Sequence, residues 1–87
     1  MNLANIVCPL PRIGSKDWGW KSEHDLYSTI VHTPKFGDYH VREFNSCAVY
    51  KDGDGYAVSD VTDLATAKRI AELLARRDWR RENRGKK

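Results

Sequence analysis

The stretch CAVYKDGDGYAVSDVTDLATAKRIAELL, from Cys47 to Leu74, decides the fold. Its first half alternates around Asp52-Gly53-Asp54-Gly55, where Gly and Asp accept the positive φ angles of a tight hairpin turn. The runs Cys47 to Lys51 and Tyr56 to Asp60 therefore read as paired strands, although neither face of the pair is cleanly apolar. One side is expected to meet a helix and the other an N-terminal arm. At Thr62 or Asp63 the period changes from two to between three and four. Either residue can cap a first turn, and Asp63 also complements the helix dipole. Leu64, Ala67, Ile70, Ala71 and Leu74, flanked by Leu73, then form an apolar stripe suited to packing on a sheet.

Toward the N-terminus, Leu26 to Thr33 and Tyr39 to Phe44 are rich in β-branched and aromatic residues, and the turn chemistry of Pro34 to Asp38 joins them into a first hairpin. Residues 1–21 carry Pro9, Pro11, Gly14 and Gly19, which argue for an irregular arm. Its Ile6, Val7, Leu10, Ile13, Trp18 and Trp20 are too apolar to remain in water, so the arm is expected to lie across the body. Toward the C-terminus the helix is predicted to end near Arg81, and residues 82–87 read as a frayed basic tail. The expectation is one α+β domain over 1–87, with a small antiparallel sheet of three to four strands over 26–60, a helix over 62–81 and the arm before them.

The 87 residues leave room for one small core, filled by three Trp, four Tyr and two Phe. No run approaches the length of a membrane span, and Met1 to Leu10 lacks the features of a secretory signal, so a cytoplasmic location without membrane contact is expected. Cys8 and Cys47, without a CxxC pair, read as reduced thiols.

Charge is polarised along the chain. Lys68 to Lys87 holds nine Lys/Arg against three Asp/Glu, whereas the preceding residues hold six against nine. Such a segment attracts phosphates or acidic surfaces over roughly 8 Å at physiological salt. Past Leu74 the helical positions that would continue the buried face hold Arg77 and Asp78, so the last turns are expected to project beyond the core. Arg69, Arg76, Arg77, Arg80, Arg81 and Arg84 are the candidate binding residues there, with Trp79 beside them as an anchor or a stacking ring. A Glu72–Arg76 ion pair is expected from their spacing of four. A solvated helix end is the plain alternative, because basic residues suit a helix C-terminus whatever they bind.

Other motifs carry less. Asp52 to Gly55 departs from a calcium loop, since the sixth position is Ala57 where glycine is needed. His24, His32 and His40 recur every eight residues, a spacing that brings two of them together across the first hairpin but lacks the close ligand pairs of zinc sites. No metal or other cofactor is expected. A nucleophile would be Cys47 or Cys8 with a histidine, yet no phosphate loop or nucleophile elbow is present, and the chain is read as not an enzyme. Trp18, Trp20 and Phe36 are either core aromatics or an exposed anchor. Asp52, Asp54, Asp60 and Asp63 offer an acidic patch over 52–63 as a competing binding surface.

The run YAVSDVTDLATAKRIAELL, Tyr56 to Leu74, resembles the closing strand-to-helix unit of small phage and mobile-element proteins, host-takeover inhibitors and anti-CRISPR proteins among them. The resemblance implies a non-catalytic inhibitor in the host cytoplasm that occupies a surface on a host protein or nucleoprotein complex. It carries over no functional residue. A second resemblance, to the sheet-plus-helix DNA-binding domains of integrases, implies a sheet that enters the major groove. Here, however, the basic residues lie on the helix end and not on the strands. The expectation is thus a binding protein using the arginine-rich helix end, with direct nucleic-acid binding by the same residues as the alternative.

Overall fold

The computed structural model describes residues 9–84. Five strands, β1 (Lys21–His24), β2 (Ile30–Thr33), β3 (Tyr39–Glu43), β4 (Cys47–Lys51) and β5 (Gly55–Val61), lie side by side in chain order as an open antiparallel meander. One helix, α1 (Leu64–Arg84), packs across β3, β4 and β5. This is the α+β plan expected from the sequence, with five strands where three to four were predicted.

The extra strand, β1, lies ahead of the run Leu26 to Thr33, of which only Ile30–Thr33 forms a strand. The Asp25 carboxylate accepts from the backbone N–H of Tyr27 (2.8 Å) and Thr29 (2.9 Å), and Ser28 adopts a positive φ of 64°, so residues 25–29 turn back on themselves. Lys21–His24 then pairs with Ile30–Thr33, Ser22 lying opposite His32. In the second hairpin Tyr50 opposes Tyr56, Val49 opposes Val58 and Cys47 opposes Val61, the register slipping twice. Those bulges bring Val58 and Val61 to the same face although they are three residues apart, which is why the sequence shows no clean alternation.

The core lies between that face and the helix. Tyr39, Val41, Cys47, Val49 and Val61 from the sheet meet Ala67, Ala71 and Ala75 from α1, and Trp18 from the arm is fully buried among them. Alanine every four residues lets helix and sheet approach closely. Gly37, at φ 86°, leaves room for Ala75, since a Cβ there would sit 2.8 Å from the Ala75 Cβ. The apolar stripe thus continues one residue past Leu74. Asp63 caps the helix, its carboxylate accepting from the Thr66 N–H (3.1 Å) and hydroxyl (2.9 Å). The helix runs to Arg84, past the predicted end at Arg81, so Asn83 is helical, with its side chain donating to the Trp79 carbonyl at 2.8 Å. The remainder of the expected tail, 85–87, lies outside the described residues, as do Ile6, Val7 and Cys8.

The arm packs on the same side of the sheet as the helix, a correction to the expectation that it covers the opposite face. A 3-10 turn, Lys16–Trp18, is capped by Ser15 and closed by Gly19 in the left-handed region. Glu72, only 3 % exposed, holds the arm down: one carboxylate oxygen accepts from the Gly14 N–H and the other from Trp20 Nε1, each at 2.7 Å. Trp18 Nε1 donates to the Arg12 carbonyl at 2.8 Å, and Phe36 meets the Trp18 ring edge-on. Trp18 is therefore a core residue and Trp20 is half-buried, whereas Phe36 stays 40 % exposed.

Candidate functional site

The exposed side of α1 places Leu73, Arg76, Arg77, Arg80 and Arg81 along one strip, because residues three and four apart share a helix face. With Ile13 of the arm as the facing wall, they line an open groove of about 430 Å³. Arg69 lies one turn before Leu73 and is exposed. Arg84 is the last residue of α1, and its side chain lies outside the described residues. Five of the arginines singled out from the sequence are thus on or beside one groove.

They have few carboxylate partners, a property they share among the described residues with Arg12, Lys16, Lys21, Lys35 and Lys68. Among the described residues, Arg69, Arg76, Arg80 and Arg81 form no ion pair with a carboxylate, while Arg77 reaches only its neighbour Asp78, at 3.2 Å. The expected Glu72–Arg76 pair does not form, because Glu72 turns inward to Gly14 and Trp20. The Arg76 Nε is shielded from solvent with no hydrogen-bond partner among the described residues. Leu73, 54 % exposed, gives the groove an apolar floor that the sequence reading had treated only as a flank of the buried stripe.

Trp79 is elsewhere. It is half-buried in a separate depression with Leu10, Gly37, Tyr39 and Asp78, on the side of the helix that faces the sheet and arm. The last turns do not simply project, since Tyr39 donates its hydroxyl to Asp78 at 2.5 Å and Lys51 Nζ lies 3.6 Å from the same carboxylate. Burial, then the bond to Asp78 and its charge, push the Tyr39 hydroxyl up to about 12. Burial acts to raise Asp78, but the hydrogen bonds from Tyr39 and Arg77 and the charges of Lys51 and Arg77 outweigh it and hold the carboxyl below its ordinary value.

The opposite face of the sheet carries a second surface that the sequence reading missed. Tyr50 stacks on His40 with centroids 5.2 Å apart, Tyr56 lies 4.3 Å from Tyr50, and the Arg42 guanidinium sits 5.3 Å over the Tyr50 ring. Cross-strand register was the missing signal, since Tyr50 faces both His40 and Tyr56. Polar partners are already in place here: His40 Nδ1 lies 2.8 Å from Asp52 Oδ1, and Arg42 lies 3.8 Å from Asp25.

The remaining candidates separate. His32 and His40 lie on opposite faces of the sheet. His32 sits in a chain across three strands, with Ser22 Oγ at 2.7 Å from its Nδ1 and Glu43 Oε1 at 3.1 Å from its Nε2. This order matches Ser–His–acid connectivity, but none of the four principal grooves is lined by any of the three. The chain ties β1 and β2, which α1 does not contact, to β3, on which it packs. Burial, then the Glu43 and Asp63 charges, push the Cys47 thiol up, away from the thiolate a nucleophile needs. Asp52 and Asp54 are occupied by His40 and Lys51, whereas Asp60 and Asp63 lie toward the far end of β5, so no single acidic patch spans 52–63. No cluster of three or more metal-binding side chains occurs among the described residues, and no helix there is long and apolar enough to cross a membrane. No protein-family description, curated protein or solved structure matches the chain.

Proposed function

We propose that this chain is a non-catalytic binding protein that docks on a host protein or nucleoprotein through the arginine face of α1 and acts by occupying that surface. The observation that carries the reading is the gathering of Arg76, Arg77, Arg80 and Arg81 along one groove, where among the described residues only Arg77 has a carboxylate within reach. Like charges four apart on a helix repel by about 0.2 to 0.5 kcal/mol per pair. Arg76 with Arg80, and Arg77 with Arg81, stand at that spacing, so an anionic partner relieves a strain that the isolated chain carries. Guanidinium groups also suit such a partner, pairing bidentately with carboxylate or phosphate.

The test is the double variant Arg76→Glu/Arg80→Glu, whose fold is checked by circular dichroism. Both positions are on the groove and outside the core, so the variant should keep its melting transition while capture of the partner by tagged bait falls by at least about tenfold. Undiminished capture by a folded variant removes the arginine face from the interface. Direct nucleic-acid binding by the same arginines is the competing reading. It is weakened by the placement of Trp79 against the sheet and arm, away from the groove where a stacking base would lie.

A further inference from the structure

The arginine groove is not a purely electrostatic surface, and its apolar floor narrows the kind of partner it fits. Resting on the docking reading above, we infer that the groove receives an acidic amphipathic helix of a partner protein, with an apolar side chain seated on Leu73 and Ile13 and carboxylates meeting Arg76, Arg77, Arg80 and Arg81.

Two observations converge. Leu73 is 54 % exposed at the N-terminal end of the arginine strip, and Ile13 lines the same groove. A phosphodiester backbone would neutralise the guanidinium groups while offering nothing apolar to cover that floor. An acidic protein segment carrying an apolar residue satisfies both. The order of groups is also helical. Arg76 and Arg77 stand about one turn past Leu73, and Arg80 and Arg81 about two. A partner helix lying alongside presents an apolar residue and carboxylates one and two turns away at the same axial repeat, roughly 5.4 Å per turn. The other surface of this protein fits such a partner less well, because its one guanidinium beside Tyr50, that of Arg42, already has Asp25 at 3.8 Å.

The experiment compares two probes by fluorescence anisotropy. One is a labelled, hydrocarbon-stapled helix of about 18 residues with leucine at every third or fourth position and glutamate between them. The other is a labelled oligonucleotide of equal net charge. Both are titrated at about 50 mM salt against the wild-type protein, Leu73→Ala and Arg76→Gln/Arg80→Gln. The proposal expects the helix to bind more tightly than the oligonucleotide, Leu73→Ala to weaken the helix about tenfold and leave the oligonucleotide unchanged, and the arginine variant to weaken both. Tighter oligonucleotide binding that Leu73→Ala does not alter would overturn the acidic-helix inference and leave docking by the arginine face intact. No binding of either probe by the wild type would overturn the inference together with the reading it rests on.

Discussion

Tyr39 and Asp78 hold each other in fixed protonation states, and the pH dependence of stability follows from that pair. Tyr39 titrates at about 12 when folded and near 10 when unfolded, so between those values the unfolded chain has released a proton that the folded chain retains. Stability should therefore fall as pH rises from about 10 to about 12, by up to about 3 kcal/mol at roughly 1.4 kcal/mol per unit. Tyr50, raised by burial and by its contact with Tyr56, adds in the same direction. Asp78 works at the other end of the scale: its depressed value stabilises the fold above the ordinary aspartate range, and this is lost as pH falls through the folded value. Tyr39→Phe should cost about 1.5 to 3 kcal/mol at neutral pH, the range for a hydrogen bond to a charged group, and flatten the alkaline decline. Urea midpoints measured from neutral to alkaline pH check both. Asp78 was legible in the sequence as a polar residue where the stripe should continue, but its partner was not, since Tyr39 is 39 positions away.

At the scale of elements, local signals found what local physics determines. The hairpin around Asp52 to Gly55 and the helix after Asp63 declare themselves through turn chemistry, capping and period. Lys21–His24 does not, because its KSEH sequence has no apolar face and becomes a strand only by pairing with β2. The arm was legible as irregular, but its position was not, because it depends on a buried carboxylate. Glu72 looked like a surface partner for Arg76 and is instead the acceptor for Gly14 and Trp20. Glu72→Ala leaves both donors unpartnered, each costing about 1 to 3 kcal/mol if it stays buried. The variant should lose about 2 to 6 kcal/mol and shift tryptophan emission to longer wavelength as the arm loosens, which a urea titration followed by fluorescence measures directly.

For the whole molecule, the charge polarity seen along the sequence becomes a concentration of arginines on one side of one helix. In the sheet Arg42 and Lys51 lie near Asp25, Asp54 and Asp78, whereas the outer side of α1 gathers four arginines without carboxylates among the described residues. The sequence located the segment in which the arginines gather. It put Trp79 beside them and Leu73 on the flank of the buried stripe, because the side of a helix that a residue occupies depends on what the arm covers. Unpaired like charges make the fold self-repulsive at low ionic strength. The melting temperature should therefore rise by a few degrees as sodium chloride increases from about 20 to 300 mM, and the increase should shrink in Arg76→Gln/Arg80→Gln. Differential scanning fluorimetry across a salt series measures it. The meander also bears on how the chain reaches this state. Each strand pairs only with its neighbours in sequence, across loops of a few residues, so the sheet has little loop-closure entropy to overcome and low contact order favours rapid assembly. The slow part of the search is then bringing Gly14 and Trp20, 58 and 52 residues distant, onto Glu72, an event that must wait for the helix to exist.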